Sequence, residues 1–388
     1  MTRCDAIVVG GGPAGSSCAR KLRLAGWRVI VIDRARFPRD KVCAGWLTPD
    51  VFPLLDLDPA EYQSTGATLQ EITGFRTRVI GGNPVETRYP RTVSYAIRRC
   101  EFDAFLLRRA GVPVIDDSPV NSIRRDRDTW IVNGQLEAPV IVGAGGHFCP
   151  VARHLRGGTD TATPVVAKEA EFRVRCTDTD VIPDIPELLF CRDLQGYGWC
   201  VRKGDYLNVG IGRRGGRDFN QHVRHFMDLL AATMHIDQTA DVHWRGHAYL
   251  AAGAGPRPLV GPGVLLVGDA AGLAYPESGE GIKPAIESAN LAASTLIGAK
   301  RASEDALLPY ATAIEQQHPS RPQVARRTDR LTAAIGRALL GSSLFTRHVV
   351  IDRWFLRSKP RPAPPTSRRQ INKRAKRSGG LFSTRKNS

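Results

Sequence analysis

The sequence predicts an α/β chain: a parallel sheet with helices packed on it, an inserted antiparallel sheet, and a helical C-terminal region. Three observations carry this. Short apolar, β-branched runs that end in glycines occur at residues 6–9, 138–142 and 264–267, as strands buried on both faces of a parallel sheet require. Residues 164–247 instead alternate apolar and polar side chains, the mark of half-buried antiparallel strands. Helical spacing returns beyond residue 300.

The opening stretch, residues 5–33, reads DAIVVGGGPAGSSCARKLRLAGWRVIVID. A strand (residues 6–9) meets a glycine turn, a helix over residues 16–25 ends at Gly26, and a second strand (residues 28–32) finishes at Asp33. This is a complete, Rossmann-like βαβ dinucleotide site. Gly10 allows the tight turn, Gly12 lets backbone approach a pyrophosphate, Gly15 permits close helix–strand packing, and Ala14 lies at the helix N-terminus that faces the phosphates. Asp33 is placed to take ribose hydroxyls, and Arg34 opens a basic loop (residues 34–46) suited to phosphate or to water. At this level NAD and FAD both remain open.

The rest follows in order. Residues 47–65 read as irregular helix, and residues 69–89 as a small antiparallel excursion. Residues 94–110 read as helix, 112–115 as strand, and 120–137 as a meander leading into the second parallel strand. In the inserted region, strands are expected at residues 171–174, 188–191, 197–202 and 206–211, covered by a helix over 219–235. A helix over 282–298 follows the third parallel strand, and Pro309 is expected to interrupt the next segment before a short helix at 310–317. The organisation expected is a nucleotide-binding domain in three parts (1–66, 93–160, 248–300), a strand excursion (67–92), a substrate domain (161–247), C-terminal helices (301–356) and a basic tail (357–388).

The 388 residues, 42% hydrophobic and 24% charged, suit a globular enzyme rather than a disordered chain. The first strand begins close to Met1, leaving no room for a signal peptide, and no apolar run is long enough to span a membrane, so a cytoplasmic location is expected. The eight cysteines form no C-x-x-C pair, which argues against a metal site or disulfide framework. Of the net charge of +17, eleven cations fall in residues 357–388, which hold no Asp or Glu, a composition expected to stay disordered. Preceding them, residues 331–356 mix apolar and basic positions. Such a helix and tail suit either peripheral contact with an anionic membrane or packing on the body with a solvated tail. No aromatic interleaving in the tail favours nucleic acid.

The pieces resemble the FAD-dependent oxidoreductases of p-hydroxybenzoate hydroxylase fold, and most of all their geranylgeranyl reductase branch. The opening βαβ unit, residues 41–45 (KVCAG), residues 266–272 (LVGDAAG) with 279–282 (GEGI), and residues 197–205 (YGWCVRKGD) carry the likeness. The resemblance implies FAD as cofactor, with NAD(P)H or ferredoxin as electron donor. It places Gly268 and Asp269 at the ribityl chain, the backbone of Gly279, Gly281 and Ile282 against the flavin ring, and Arg99 at the phosphates. It points to Cys43 as proton source or gate, a small structural thiol being the alternative. Trp46, Tyr197 and Trp199 are candidate walls of a pocket for a small hydrophobic substrate, or core aromatics.

The branch implies reduction of carbon–carbon double bonds in a prenyl-like substrate; monooxygenation of a small molecule is the alternative. Gly145 stands where hydroxylases of this fold carry an acid used for FAD and the nicotinamide donor, which sets the chain apart from them.

Overall fold

A computed structural model describes residues 1–157, 163–175, 179–216, 218–234, 243–253, 257–299, 301–319 and 330–357. The basic tail from residue 358 onward and Cys176 lie outside them.

The strands Ala6–Val9, Val29–Ile32, Val140–Gly143 and Val264–Leu266 are buried along their whole length, as their unbroken apolar composition demands. They run parallel in a six-stranded sheet whose order is Val260–Gly261, Val264–Leu266, Val140–Gly143, Ala6–Val9, Val29–Ile32, Val114–Ile115; only Val260–Gly261 pairs antiparallel. Helices Pro13–Leu24 and Ile282–Gly298 pack with this sheet through Cys18, Ala19, Leu22, Ala289, Ala292 and Ala293, whose small or well-fitted side chains bring backbones close.

A second, seven-stranded sheet has the order Arg245–Tyr249, Val165–Arg173, Tyr206–Arg214, Gly196–Lys203, Glu187–Phe190, Gly74–Val79, Val85–Arg88. Helix Phe219–Met234 covers one face through Phe226 and Leu230.

Four expectations change. The strands of 69–89 do not form a small separate excursion: Gly74–Val79 pairs parallel with Glu187–Phe190 and extends the large sheet. Buried Glu187 ties them, accepting from Arg76 at 3.0 Å and Arg78 at 2.8 Å. Residues Ser94–Ile97 are strand, paired with Leu69–Ile72 and Trp46–Leu47, and the helix begins only at Arg99. Pro309 does not interrupt its segment. Helix Glu304–Gln317 runs through it, held by the Ser303 cap and by Tyr310, whose hydroxyl donates to the Leu266 carbonyl at 2.5 Å. Residues 331–356 are not one surface helix: after helix Arg330–Leu340 and a turn, the π-type segment Thr346–Phe355 buries Val350, Ile351 and Phe355.

Among the described residues no helix is long and apolar enough to cross a membrane.

Candidate functional site: one cavity with a polar and an apolar end

A cavity of about 2470 Å³ is lined from both sheets. It is more than twice the size of an ordinary ligand pocket, at most roughly 1,000 Å³. The opening glycine turn and its acid and cations (Gly10, Gly12, Ala14, Asp33, Arg34, Arg99) line it, as do Asp269, Gly279, Gly281 and Ile282 and the side chains of Cys43, Trp46, Tyr197 and Trp199. The structure thus brings together all but two of the predicted site residues. Gly15 and Gly268 stand behind the wall as packing positions. A Cβ on Gly15 would run into the Gly10 carbonyl, and one on Gly268 would lie 3.1 Å from Ala14 and Ala285.

Two helices start at this cavity without a side-chain cap: Pro13–Leu24 at Gly12 and Ile282–Gly298 at Gly281. Their N-termini present partial positive charge to any anionic or electron-rich group. Asp33 accepts from the backbone N–H of Gly11 at 2.6 Å and of Ala35 at 2.8 Å, which fixes its carboxylate at the strand end. Gly279 has φ +69°, and a Cβ there would collide with the Tyr249 hydroxyl.

Arg99 is buried rather than solvated and grips Asp103 with two hydrogen bonds of 2.8 Å. Arg39 approaches the same carboxylate at 3.2 Å and lies over the Phe37 ring. Two guanidiniums sharing one carboxylate leave net positive charge beside Gly12, and a Cβ on Gly12 would sit 3.3 Å from Arg39 Nη2. Next to them Lys41 Nζ lies 2.6 Å from His247 Nε2, which is 3.9 Å from Asp269 Oδ2. Burial pulls Lys41 down to about 8 and also lowers His247. Burial pushes Asp269 up, but the nearby His247 ring and the Lys41 charge outweigh it and hold the carboxyl below its ordinary range. Arg39 and Lys41 belong to the basic loop, so composition marked them; nothing in the local sequence marked His247.

Cys43 is half-buried in the wall. Its N–H donates to Glu169 Oε2 at 2.6 Å, and its Sγ accepts from the Gly45 N–H at 3.3 Å. Glu169 and Glu171, two apart on strand Val165–Arg173, share a face with Lys203 and Asn208: Lys203 Nζ lies 2.7 Å from Glu171, and Asn208 Nδ2 reaches both acids. Burial raises Glu169 to about 7. Glu171 also feels burial, yet the charges and hydrogen bonds of Lys203 and Arg98 take it below its ordinary range.

The apolar part of the wall is aromatic. Trp46 stacks on Phe75 at 4.7 Å and on Phe355 at 5.3 Å, and Phe355 meets Tyr197 edge-on at 5.4 Å. Trp199, 7% exposed, donates its indole N–H to Asn208 at 2.7 Å, so it serves the core and the wall at once. The Tyr197 hydroxyl donates to the Ser278 carbonyl, tying the seven-stranded sheet to the loop before Gly279.

An FAD fits these residues. Gly12, Ala14, Arg99 and Arg39 offer amides and cations to a pyrophosphate, Asp33 an acceptor to ribose, Asp269 an acceptor to the ribityl chain, and the open turn at Gly281 and Ile282 a positive end to the ring. Comparison with known proteins agrees. Residues 5–96 match the FAD dependent oxidoreductase family model. Digeranylgeranylglycerophospholipid reductase 3 of Methanosphaera stadtmanae is 27% identical over 342 residues, covering 80% of this chain and 82% of that protein. Menaquinone reductase of Mycolicibacterium smegmatis is 28% identical over 356 residues, 84% of each. The crystal structure of a geranylgeranyl bacteriochlorophyll reductase-like protein from Thermoplasma acidophilum superposes with a TM-score of 0.71 at 22% identity, covering 90% of this chain and 91% of that one. The chain is an FAD-dependent oxidoreductase. Within that class it resembles the geranylgeranyl reductase branch.

Proposed function

We propose that the chain reduces carbon–carbon double bonds in a hydrophobic, prenyl-like substrate, with NAD(P)H or reduced ferredoxin supplying the electrons. The observation that carries this reading is the two-ended cavity: its polar end suits FAD, and its volume leaves an aromatic end for an apolar chain. The names of the relatives from Methanosphaera and Mycolicibacterium support it.

Bound FAD supplies hydride-level, two-electron chemistry. The chain's own residues do the rest. The N-terminus of helix Ile282–Gly298 stabilises negative charge at the cavity wall, and the Trp46, Tyr197 and Phe355 cluster orients an apolar chain and excludes water. The Cys43 thiol accepts from the Gly45 N–H, the Cys43 backbone N–H is fixed by Glu169, and the thiol so placed delivers the proton at that wall. One hydride and one proton are added per double bond.

The test is an anaerobic single turnover of the reduced holoprotein with geranylgeraniol. Expected are flavin reoxidation and a product heavier by two hydrogens per bond reduced; Cys43→Ser keeps its FAD but slows the step about 100-fold or more. Reoxidation only when oxygen is admitted, with an oxygenated product, replaces this reading with monooxygenation. Full turnover by Cys43→Ser removes the thiol from the chemistry.

A further inference from the structure

We propose that the outer face of helix Arg330–Leu340 and of the turn after it docks the protein on an anionic lipid bilayer. The helix has two different sides. Its inner side buries Ala333 and Leu340 and, through Gly336 and Leu340, walls the apolar part of the cavity. Its outer side leaves Leu331 70%, Ile335 54% and Leu339 41% exposed, and Leu344 in the next turn is 71% exposed. Four of the ten exposed large hydrophobic residues of the described structure therefore lie within fourteen residues, whereas isolated exposed apolar side chains are ordinary.

Charge selects the occupant. Residues 330–351 contain no Asp or Glu, and the first acid after them, Asp352, accepts from the Tyr89 hydroxyl at 2.5 Å. Arg337, on the inner side of the helix, donates to the Arg192 carbonyl at 3.0 Å, exposed Arg347 lies over the Tyr89 ring, and the sequence continues directly into the eleven cations of 357–388. An apolar face whose helix carries no acid, followed in the sequence by a polybasic segment, suits an anionic, apolar-cored surface; one such signal alone binds reversibly, and the two together supply what stable anchoring takes. Docked this way, the cavity's apolar end lies about one helix diameter, roughly 10 Å, from lipid. The inference goes beyond the reductase reading and is scored without turnover, so either can fail alone.

The full-length, FAD-loaded protein is to be co-sedimented with vesicles of equal parts phosphatidylglycerol and phosphatidylcholine, and with phosphatidylcholine alone. Wild type is expected to bind the anionic vesicles, and Ile335→Gln with Leu339→Gln to weaken binding about tenfold or more while keeping its flavin spectrum. Neutralising Arg368, Arg369, Lys373 and Arg374 to Gln is expected to weaken it at least about tenfold as well. The proposal is overturned if wild type stays in the supernatant, or if the Ile335/Leu339 variant binds as tightly as wild type. It is also overturned if wild type is a dimer that this variant dissolves, since the face then covers a second copy.

Discussion

Glu169 and Glu171 show how one strand gives two carboxyls opposite characters. Both are taken out of water, but Glu171 has Lys203 and Arg98 against it, while Glu169 keeps a backbone N–H and an amide as its partners at 2.6 and 3.3 Å. Glu169 therefore holds its proton to about pH 7 in the folded chain, whereas an unfolded carboxyl releases it near 4 to 5. Between those values the folded state binds the extra proton, so this group's contribution to stability falls as pH rises through 7. Glu169→Gln escapes that fall. Its thermal midpoint relative to wild type is expected to climb by about 2 °C or more between pH 5 and pH 8; a flat difference contradicts a neutral Glu169. The sequence made Gly12, Asp33 and Asp269 legible because each sits in a short motif. His247 and Glu169 were not legible, because their partners Lys41 and Cys43 lie 206 and 126 residues away.

Elements were readable where each carries its own signal. The three glycine-ended strands and helix Ile282–Gly298 stand where periodicity puts them, since burial on two faces or on one stripe is written into the local sequence. Strand Ser94–Ile97 reads as helix because it is four residues long and directly precedes one; pairing with Leu69–Ile72 decides it. The segment Thr346–Phe355 is a similar case. Its apolar residues suit a surface helix, yet Val350, Ile351 and Phe355 pack with Phe75 and Trp199 in one cluster, so tertiary contacts override the local pattern. Phe355 is 4% exposed, and truncating it leaves Trp46 and Tyr197 without a ring partner on that side. Phe355→Ala is expected to cost about 3–5 kcal/mol in denaturant unfolding while FAD remains bindable. A loss under about 1 kcal/mol would mean that this segment does not wall the cavity.

On the scale of the whole molecule, two sheets contribute to one cavity, and the division of labour follows their composition. The parallel sheet ends in glycines and helix N-termini that suit phosphate and an electron-rich ring. The seven-stranded sheet brings Phe190, Tyr197 and Trp199, and the C-terminal segment adds Phe345 and Phe355. Cofactor and apolar ligand are therefore expected to share one space. The most direct measurement is the visible spectrum of the isolated full-length protein before and after adding a long saturated isoprenoid alcohol. Expected are about one bound FAD per chain and flavin bands that shift as the alcohol binds. A well-folded chain that is colourless and refuses added FAD, or flavin bands indifferent to the alcohol, would contradict that expectation.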